Sequence, residues 1–181
     1  LVENKKFKIN HLFVFFGGTD PEGLTLKTLK ALFDDRLSNL NVDVVIGKNN
    51  NNSNEIINLA KHRSLTNVHI QLDNISKLML KADLAIGSGG VNALERMCLG
   101  LPSIAISFAK NQEIILKDLS ENNLIDYLGS SKKIKKESIS NKIIDLIKNP
   151  QIMIQQRKNI KNIVKGDGAK KVCNLLIKNQ A

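Results

Sequence analysis

The sequence predicts an α/β fold, a Rossmann-like parallel sheet with helices on both faces, followed by C-terminal helices. Short apolar runs of strand length alternate along the chain with segments whose apolar residues recur at helical spacing. The first run, 11–16, is continuously apolar, which is typical of a central strand buried on both faces. Such alternation implies right-handed strand–helix–strand crossovers and therefore a parallel sheet.

Turn-forming residues separate the predicted strands and helices. Residues 17–21, Gly-Gly-Thr-Asp-Pro, end the first strand, and the spacing of Leu26, Leu29 and Leu32 predicts a helix over 24–37. The other predicted strands are 42–46, 68–70, 84–86 and 103–107. The other predicted helices include residues 56–60, 75–80, 113–122, 139–148, 151–164 and 169–178, together with one that opens at Gly90.

Length and composition predict one domain. With 181 residues and 42% apolar content, the chain can bury a single core. The polar residues 1–10 are interpreted as a linker remnant, and residues 11–181 as a single α/β domain. No apolar run is long enough for a membrane span, and the start has no signal-peptide core, so a cytoplasmic location is expected.

The net charge of +10 is unevenly distributed. Residues 130–181 carry 13 of the 27 basic groups but only 3 of the 17 acidic ones, a pattern typical of solvated helix faces. With no Trp and one Tyr, stacking platforms are scarce, and no nucleic-acid partner is expected. Cys98 and Cys173 lack metal-ligand spacing and lie on apolar helical stripes, so reduced core thiols and no metal site are expected.

A glycine-rich junction, Gly-Ser-Gly-Gly at 87–90, separates a predicted strand from a predicted helix. We call it loop 87–90. Its small residues let backbone N–H groups face outward, and the first helical turn leaves its donors unpaired at the positive end of the dipole. The sequence therefore predicts an anion site suited to phosphate.

The helix after this loop has two distinct faces in projection. Asn92 and Glu95 are three residues apart and share one face, where a carboxylate suits paired sugar hydroxyls. Val91, Leu94 and Cys98 form an apolar stripe, which is predicted to lie on the sheet.

Four loops that carry chemically useful residues follow predicted strands. They are 17–21, the segment after Ile70, loop 87–90 and 108–112, and ligands of open parallel sheets bind at this edge. The dinucleotide-binding fingerprint is not matched, because 17–21 lacks the third glycine and no acidic residue ends the second strand. A Walker phosphate loop is also absent, which argues against NAD and ATP.

The motif Gly-Ser-Gly-Gly-x₄-Glu-Arg-x-Cys-Leu-Gly-Leu-Pro-Ser-Ile, followed by Asn111 and Gln112, resembles a known nucleotide-binding segment. It is similar to that of the UDP-sugar hydrolase of pseudaminic acid biosynthesis and its spore-coat polysaccharide relatives, and more distantly to the C-terminal half of GT-B glycosyltransferases. The resemblance covers about residues 11–128. It implies a GT-B C-terminal-domain type of fold and UDP or a UDP-amino sugar as ligand, with no further cofactor.

The resemblance also implies which residues bind this ligand. Ser88, Gly89 and Gly90 match residues that hold the diphosphate, Glu95 matches a glutamate on the ribose, and backbone at Ile70 lies near uracil. The complete set of implied substrate-binding residues is Gly17, Gly18, Thr19, Ile70, Ser88, Gly89, Gly90, Asn92, Glu95, Asn111 and Gln112.

In that family a preceding α/β domain carries the histidine that acts in hydrolysis. His11, His62 and His69 of this chain lie on none of the four loops and are expected to be structural. No catalytic residue is therefore assigned to this chain, the missing N-terminal domain is its implied partner, and the chain alone is expected to be inactive. Three functions remain open: a UDP-sugar hydrolase, a GT-B glycosyltransferase, and a basic module that binds an anionic surface.

Overall fold

A computed structural model describes residues 8–161 and 163–178 as a layered α/β structure. Its strands are β1 His11–Phe15, β2 Asn41–Ile46, β3 Thr66–Ile70, β4 Leu84–Gly87, β5 Ser103–Ser107 and β6 Asp126–Ser130. Its helices are α1 Leu24–Ala31, α2 Ser53–Ala60, α3 Ser76–Lys81, α4 Val91–Cys98, α5 Lys110–Glu121, α6 Lys136–Lys148, α7 Gln151–Ile160 and α8 Gly168–Lys178. None of the described helices is long and apolar enough to cross a membrane.

The six strands form one parallel sheet in the order β3-β2-β1-β4-β5-β6. β1 lies at its centre, as the continuously apolar run predicts. The chain winds outward to β2 and β3 on one side of β1 and to β4, β5 and β6 on the other. The order therefore reverses between β1 and β4, and such a switch point opens a crevice at the carboxyl ends of the strands.

Helices cover both faces of the sheet, which confirms the predicted fold class. Leu12 and Val14 of β1 point to the face that packs against α1, α2 and α6. Phe13, between them, points to the opposite face and packs with Met79 of α3. Leu116 of α5 extends that second face beside β5. Burial on both sides explains why the central strands read as unbroken apolar runs.

Three elements differ from the sequence-based prediction. The helix predicted over 151–164 ends at Ile160. The helix predicted over 24–37 ends at Ala31, and a separate 3-10 turn follows at Asp35–Leu37, because the Asp34 carboxylate accepts a hydrogen bond from the Arg36 N–H and starts a new turn. The edge strand β6 was not predicted. All five of its residues are half-buried and it contains Gly129 with a φ of 125°, so neither alternation nor an apolar run marks it.

The structure also bears on the predictions for residues 1–10 and for the two cysteines. Residues 1–7 of the predicted linker lie outside the described residues, whereas Ile9 packs in the core, two residues ahead of the predicted domain start. Cys98 and Cys173 are free thiols but are exposed, so their placement in the core was wrong. The apolar stripe of α8, which includes Val172 and Leu176, lies exposed.

Candidate nucleotide-sugar site

The N-terminus of α4 has the open donors of an anion site. Gly90 is the residue before the helix and supplies no side chain to cap it. Among the described residues, the N–H groups of Gly89 and Gly90 donate to no backbone or side-chain acceptor. Together with the dipole of α4, these donors give loop 87–90 a positive electrostatic surface.

Close packing around loop 87–90 requires glycine at positions 87 and 89. A Cβ at Gly87 would collide with the Phe15 carbonyl oxygen of β1 and lie 2.6 Å from Nη1 of Arg96. A Cβ at Gly89 would lie 2.6 Å from the Leu116 side chain of α5. The loop is therefore held between the neighbouring strand and α5, and its backbone position is fixed by packing rather than by a cap.

The orientation of α4 is the main correction to the predicted site. Val91, Leu94 and Cys98, the predicted sheet-facing stripe, are exposed, and Val91 is 74% exposed. Ala93 and Met97 face inward instead, together with Arg96. The predicted stripe was built from apolar residues and left Arg96 out, whereas here Arg96 is part of the buried face.

Arg96 is completely buried, directly behind loop 87–90. Its Nη2 donates a hydrogen bond to the Ser88 carbonyl oxygen at 2.8 Å, and its Nε and Nη1 have no acceptor among the described residues. Burial lowers the pKa of Arg96 to about 10, against a smaller opposing effect of the nearby Glu95 carboxylate. The guanidinium therefore stays charged at neutral pH.

A cavity of about 300 Å³ opens between α4 and the carboxyl ends of β1 and β2, and residues 87–90 do not line it. Gly18, Asn92 and Glu95, three of the predicted site residues, line it together. Its remaining lining residues are Phe15, Val45, Ile46, Gly47, Gln71, Leu72, Asp73 and Ile75. The cavity thus joins apolar strand ends to the carboxylates of Asp73 and Glu95, which suits a flat apolar ring beside hydroxyl groups.

Gln71 shapes the wall of this cavity and was missed by sequence reasoning. Its N–H donates to the Ile46 carbonyl oxygen at 3.0 Å, and its side-chain oxygen accepts from the Lys48 N–H at 3.2 Å. Its φ of 53° turns the chain sharply after Ile70. Its left-handed backbone conformation is rare for a residue other than glycine, and no sequence pattern predicts it.

A second cavity, of about 310 Å³, lies between α3 and α4 and shares Asp73, Ile75 and Glu95 with the first. Met79, Cys98 and Leu99 contribute to its wall. The Glu95 side chain is exposed and forms no ion pair or hydrogen bond within the described part of the chain. Its carboxylate is therefore available to a ligand from either cavity.

The remaining predicted site residues lie at the same edge but do not line the first cavity. Gly17, with a φ of 100°, and the exposed Thr19 follow β1, and the exposed Ile70 ends β3. Exposed Asn111 lies in the first turn of α5, where the Gln112 side-chain oxygen accepts a hydrogen bond from the Phe108 N–H at 3.3 Å. Gln112 thus stabilises its own loop in this structure.

Asp20 belongs to the fold rather than to the ligand edge. It is 2% exposed, and its two carboxylate oxygens accept hydrogen bonds from the N–H groups of Leu24 and Thr25 at 2.9 and 2.7 Å. The carboxylate therefore caps the start of α1. A buried carboxylate with both oxygens occupied is poorly placed to accept a proton from an attacking water.

Two histidines form a cluster on one carboxylate. Nε2 of His11 and Nε2 of His69 each lie 2.7 Å from a different oxygen of Asp43, which links β1, β2 and β3 across one face of the sheet. Burial acts to raise the pKa of Asp43, but the hydrogen bonds from His69 and His11 outweigh it and lower that pKa. Among the described residues, no group of three His, Cys, Asp or Glu side chains could hold a metal ion.

Comparison with known proteins extends the resemblance. Residues 11–173 match the glycosyltransferase family 28 C-terminal domain. Spore coat polysaccharide biosynthesis protein SpsG of Bacillus subtilis is 22% identical over 92% of this chain and 49% of its own length. The UDP-N-acetylglucosamine--N-acetylmuramyl-(pentapeptide) pyrophosphoryl-undecaprenol N-acetylglucosamine transferase of Rickettsia massiliae is 32% identical over 58% of this chain and 28% of its own length.

The solved structures share this architecture. MurG of Acinetobacter baumannii superposes with a TM-score of 0.75 at 15% identity, over 96% of this chain and 51% of its own. This likeness confirms the GT-B-like Rossmann fold. The chain spans about half the length of SpsG and of MurG, and less of the Rickettsia transferase. By its match over most of its length, the chain belongs to the glycosyltransferase family 28 C-terminal domain family.

Proposed function

We propose that this domain binds the UDP moiety of a UDP-sugar and forms one half of an enzyme that cleaves the bond between the sugar and UDP. One observation carries the proposal: unpaired donors at the start of α4 open beside a cavity whose wall holds Glu95. Open N–H donors and a carboxylate thus belong to one helix at the carboxyl edge of the sheet, which suits a diphosphate joined to a ribose.

Each part of the ligand has a counterpart at this edge. The diphosphate binds the N–H groups of Ser88, Gly89 and Gly90, and the ribose hydroxyls donate to Glu95. Uracil occupies the cavity beside the segment that follows Ile70. The sugar extends toward the loops that carry Gly17, Gly18 and Thr19 and, from α5, Asn111 and Gln112.

Two reactions use such a site. The first candidate is a hydrolase that releases UDP and a free amino sugar in surface polysaccharide or nonulosonic acid biosynthesis; the spore coat polysaccharide relative, which covers 92% of this chain, supports the polysaccharide pathway. The second candidate is a glycosyltransferase that passes the sugar to an acceptor, and the family 28 match and the Rickettsia relative support that reading.

This half of the enzyme is proposed to stabilise the charge that develops on the departing diphosphate. Hydrolysis also needs a base within reach of the attacking water. His11 and His69 are bonded to Asp43, and Asp20 caps α1. The base is proposed to come from a preceding domain, as the family resemblance implies, and no metal or organic cofactor is proposed.

Calorimetry with UDP, UMP and uridine tests the binding proposal. UDP is expected to bind more tightly than UMP, and UMP more tightly than uridine, because each phosphate adds hydrogen bonds at loop 87–90. Equal affinities would contradict it. The third function, a basic module for anionic surfaces, predicts binding that falls steeply with salt and shows no preference for UDP.

An activity assay separates the two reactions. The 181-residue chain is incubated with UDP-sugars, with and without a preceding domain of a longer relative, and UDP release is measured. The chain alone is expected to release none. With the domain added, free sugar identifies a hydrolase and a glycosylated acceptor identifies a transferase, whereas UDP release by the chain alone would place the base in this half.

A further inference from the structure

Arg96 is the largest fully buried side chain of the described residues. Arginine is almost never fully buried unless it is paired. Here no carboxylate forms an ion pair with it in the described part of the chain, and two of its three nitrogens have no acceptor. The fold therefore retains a buried positive charge that its own residues do not neutralise.

The charged side chain of Arg96 contacts the backbone of loop 87–90. Nη2 of Arg96 pulls the Ser88 carbonyl oxygen inward, at 2.8 Å. Because a trans peptide is planar, its C=O and N–H groups point in opposite directions, so the Gly89 N–H points away from the guanidinium. The same arginine thus turns a donor of the loop toward the crevice and lies directly behind it.

Arg63 provides an internal contrast. It is also buried, with 7% exposure, but its Nε donates to the Leu32 carbonyl oxygen and its Nη2 to the Leu37 carbonyl oxygen. Its Nη1 donates to Oγ1 of Thr66 at 2.9 Å. A buried arginine that serves the fold is thus fully hydrogen-bonded in this molecule, and Arg96 is not.

We propose that Arg96 is a positioning residue that makes loop 87–90 selective for a nucleoside diphosphate, by holding the Gly89 N–H outward and by supplying the counter-charge behind it. The inference rests on the proposed function and deepens it. Uridine, which has no phosphate, gains nothing from this charge, whereas UDP does. The buried guanidinium is thus the part of the site that distinguishes the charged ligand from its neutral nucleoside.

The test measures the ratio of UDP affinity to uridine affinity by NMR titration of the folded 181-residue chain and its variants. Arg96→Gln removes the charge and keeps a donor for the Ser88 carbonyl oxygen, whereas Arg96→Lys keeps the charge. The ratio is expected to fall about 10- to 100-fold in Arg96→Gln, because the variant loses a positive charge that would lie roughly 6 Å from the bound diphosphate in a medium of intermediate dielectric constant. In Arg96→Lys it is expected to stay within about threefold of the wild-type ratio, because the charge remains.

Arg63→Gln is the matched control, since it neutralises a buried arginine that does not contact the loop. Its ratio is expected to equal that of the wild type. An unchanged ratio in Arg96→Gln, an equal fall in Arg63→Gln, or a lost preference in folded Arg96→Lys would each overturn the inference. Failure of the wild-type chain to bind UDP would instead contradict the proposed function, so the two failures are distinguishable.

Discussion

Arg63 and Arg96 are both buried but lie at opposite edges of the sheet, and they differ in how completely the fold satisfies them. Arg63, just before β3, donates to carbonyl oxygens of Leu32 and Leu37 and to Thr66. Arg96, at the carboxyl edge, donates only to the Ser88 carbonyl oxygen among the described residues. The fold thus satisfies all three nitrogens of Arg63 but only one of the three nitrogens of Arg96.

The largest expected effect of this difference is on stability. Arg63→Met leaves two buried carbonyl oxygens without a donor and should lower the free energy of unfolding by about 3–5 kcal/mol, because each unsatisfied buried acceptor costs about 1–3 kcal/mol. Arg96→Met removes a charge that lacks an ion-pair partner and leaves one carbonyl oxygen, that of Ser88, without its donor, so the loss of stability should be smaller, about 1 kcal/mol or less. Urea unfolding of both variants measures the difference, and equal losses would contradict the comparison.

The next effect concerns binding at the carboxyl edge. Glu95→Gln should weaken UDP binding by about 1.5–3 kcal/mol, the range for a hydrogen bond to a charged group, and leave thermal stability unchanged. Deoxy analogues of UDP should lose this dependence on Glu95, because they lack a hydroxyl donor. Glu121→Gln, at the far end of α5, is the control and should bind UDP normally. If Glu95→Gln unfolds while the folded fraction binds as before, Glu95 is structural.

The parts of this site that could be predicted are those that a periodic sequence pattern marks. The alternation of strands and helices placed loop 87–90 and residues 17–21 at one edge, because parallel strands share their carboxyl ends. The rotation of α4 was not predictable, since apolar periodicity treats Arg96 as solvent-facing. Gln71 and Asp73 lie in an exposed loop without periodicity, so the cavity wall they form has no sequence signal.

A smaller effect is expected at the cluster formed by His11, Asp43 and His69. Asp43→Asn should destabilise the fold by about 1–3 kcal/mol, because both imidazoles lose a charged partner. The pKa of Asp43 is lowered in the folded state, so its contribution is present above the unfolded value near 3.9 and is lost as pH falls through the folded value. The stability difference between wild type and variant should therefore shrink below about pH 4, and a difference that grows on acidification would contradict this assignment.

The smallest effect is expected at Asp20, whose carboxylate caps α1. Asp20→Asn keeps one of the two acceptors for the first turn of α1 and tolerates the φ of 42°, so stability should fall by about 1 kcal/mol. UDP affinity should not change. A loss of UDP affinity without a loss of stability would move Asp20 from the fold to the site.

The central claim, that loop 87–90 holds the diphosphate, is tested most directly by NMR of the backbone N–H groups. Addition of UDP is expected to shift the amide resonances of Gly89 and Gly90 strongly, because those protons acquire acceptors. Uridine at equal saturation is expected to shift the resonances of residues 71–75 and to leave the two glycines unchanged. Glycine shifts that are absent with UDP, or equally large with uridine, would contradict the account.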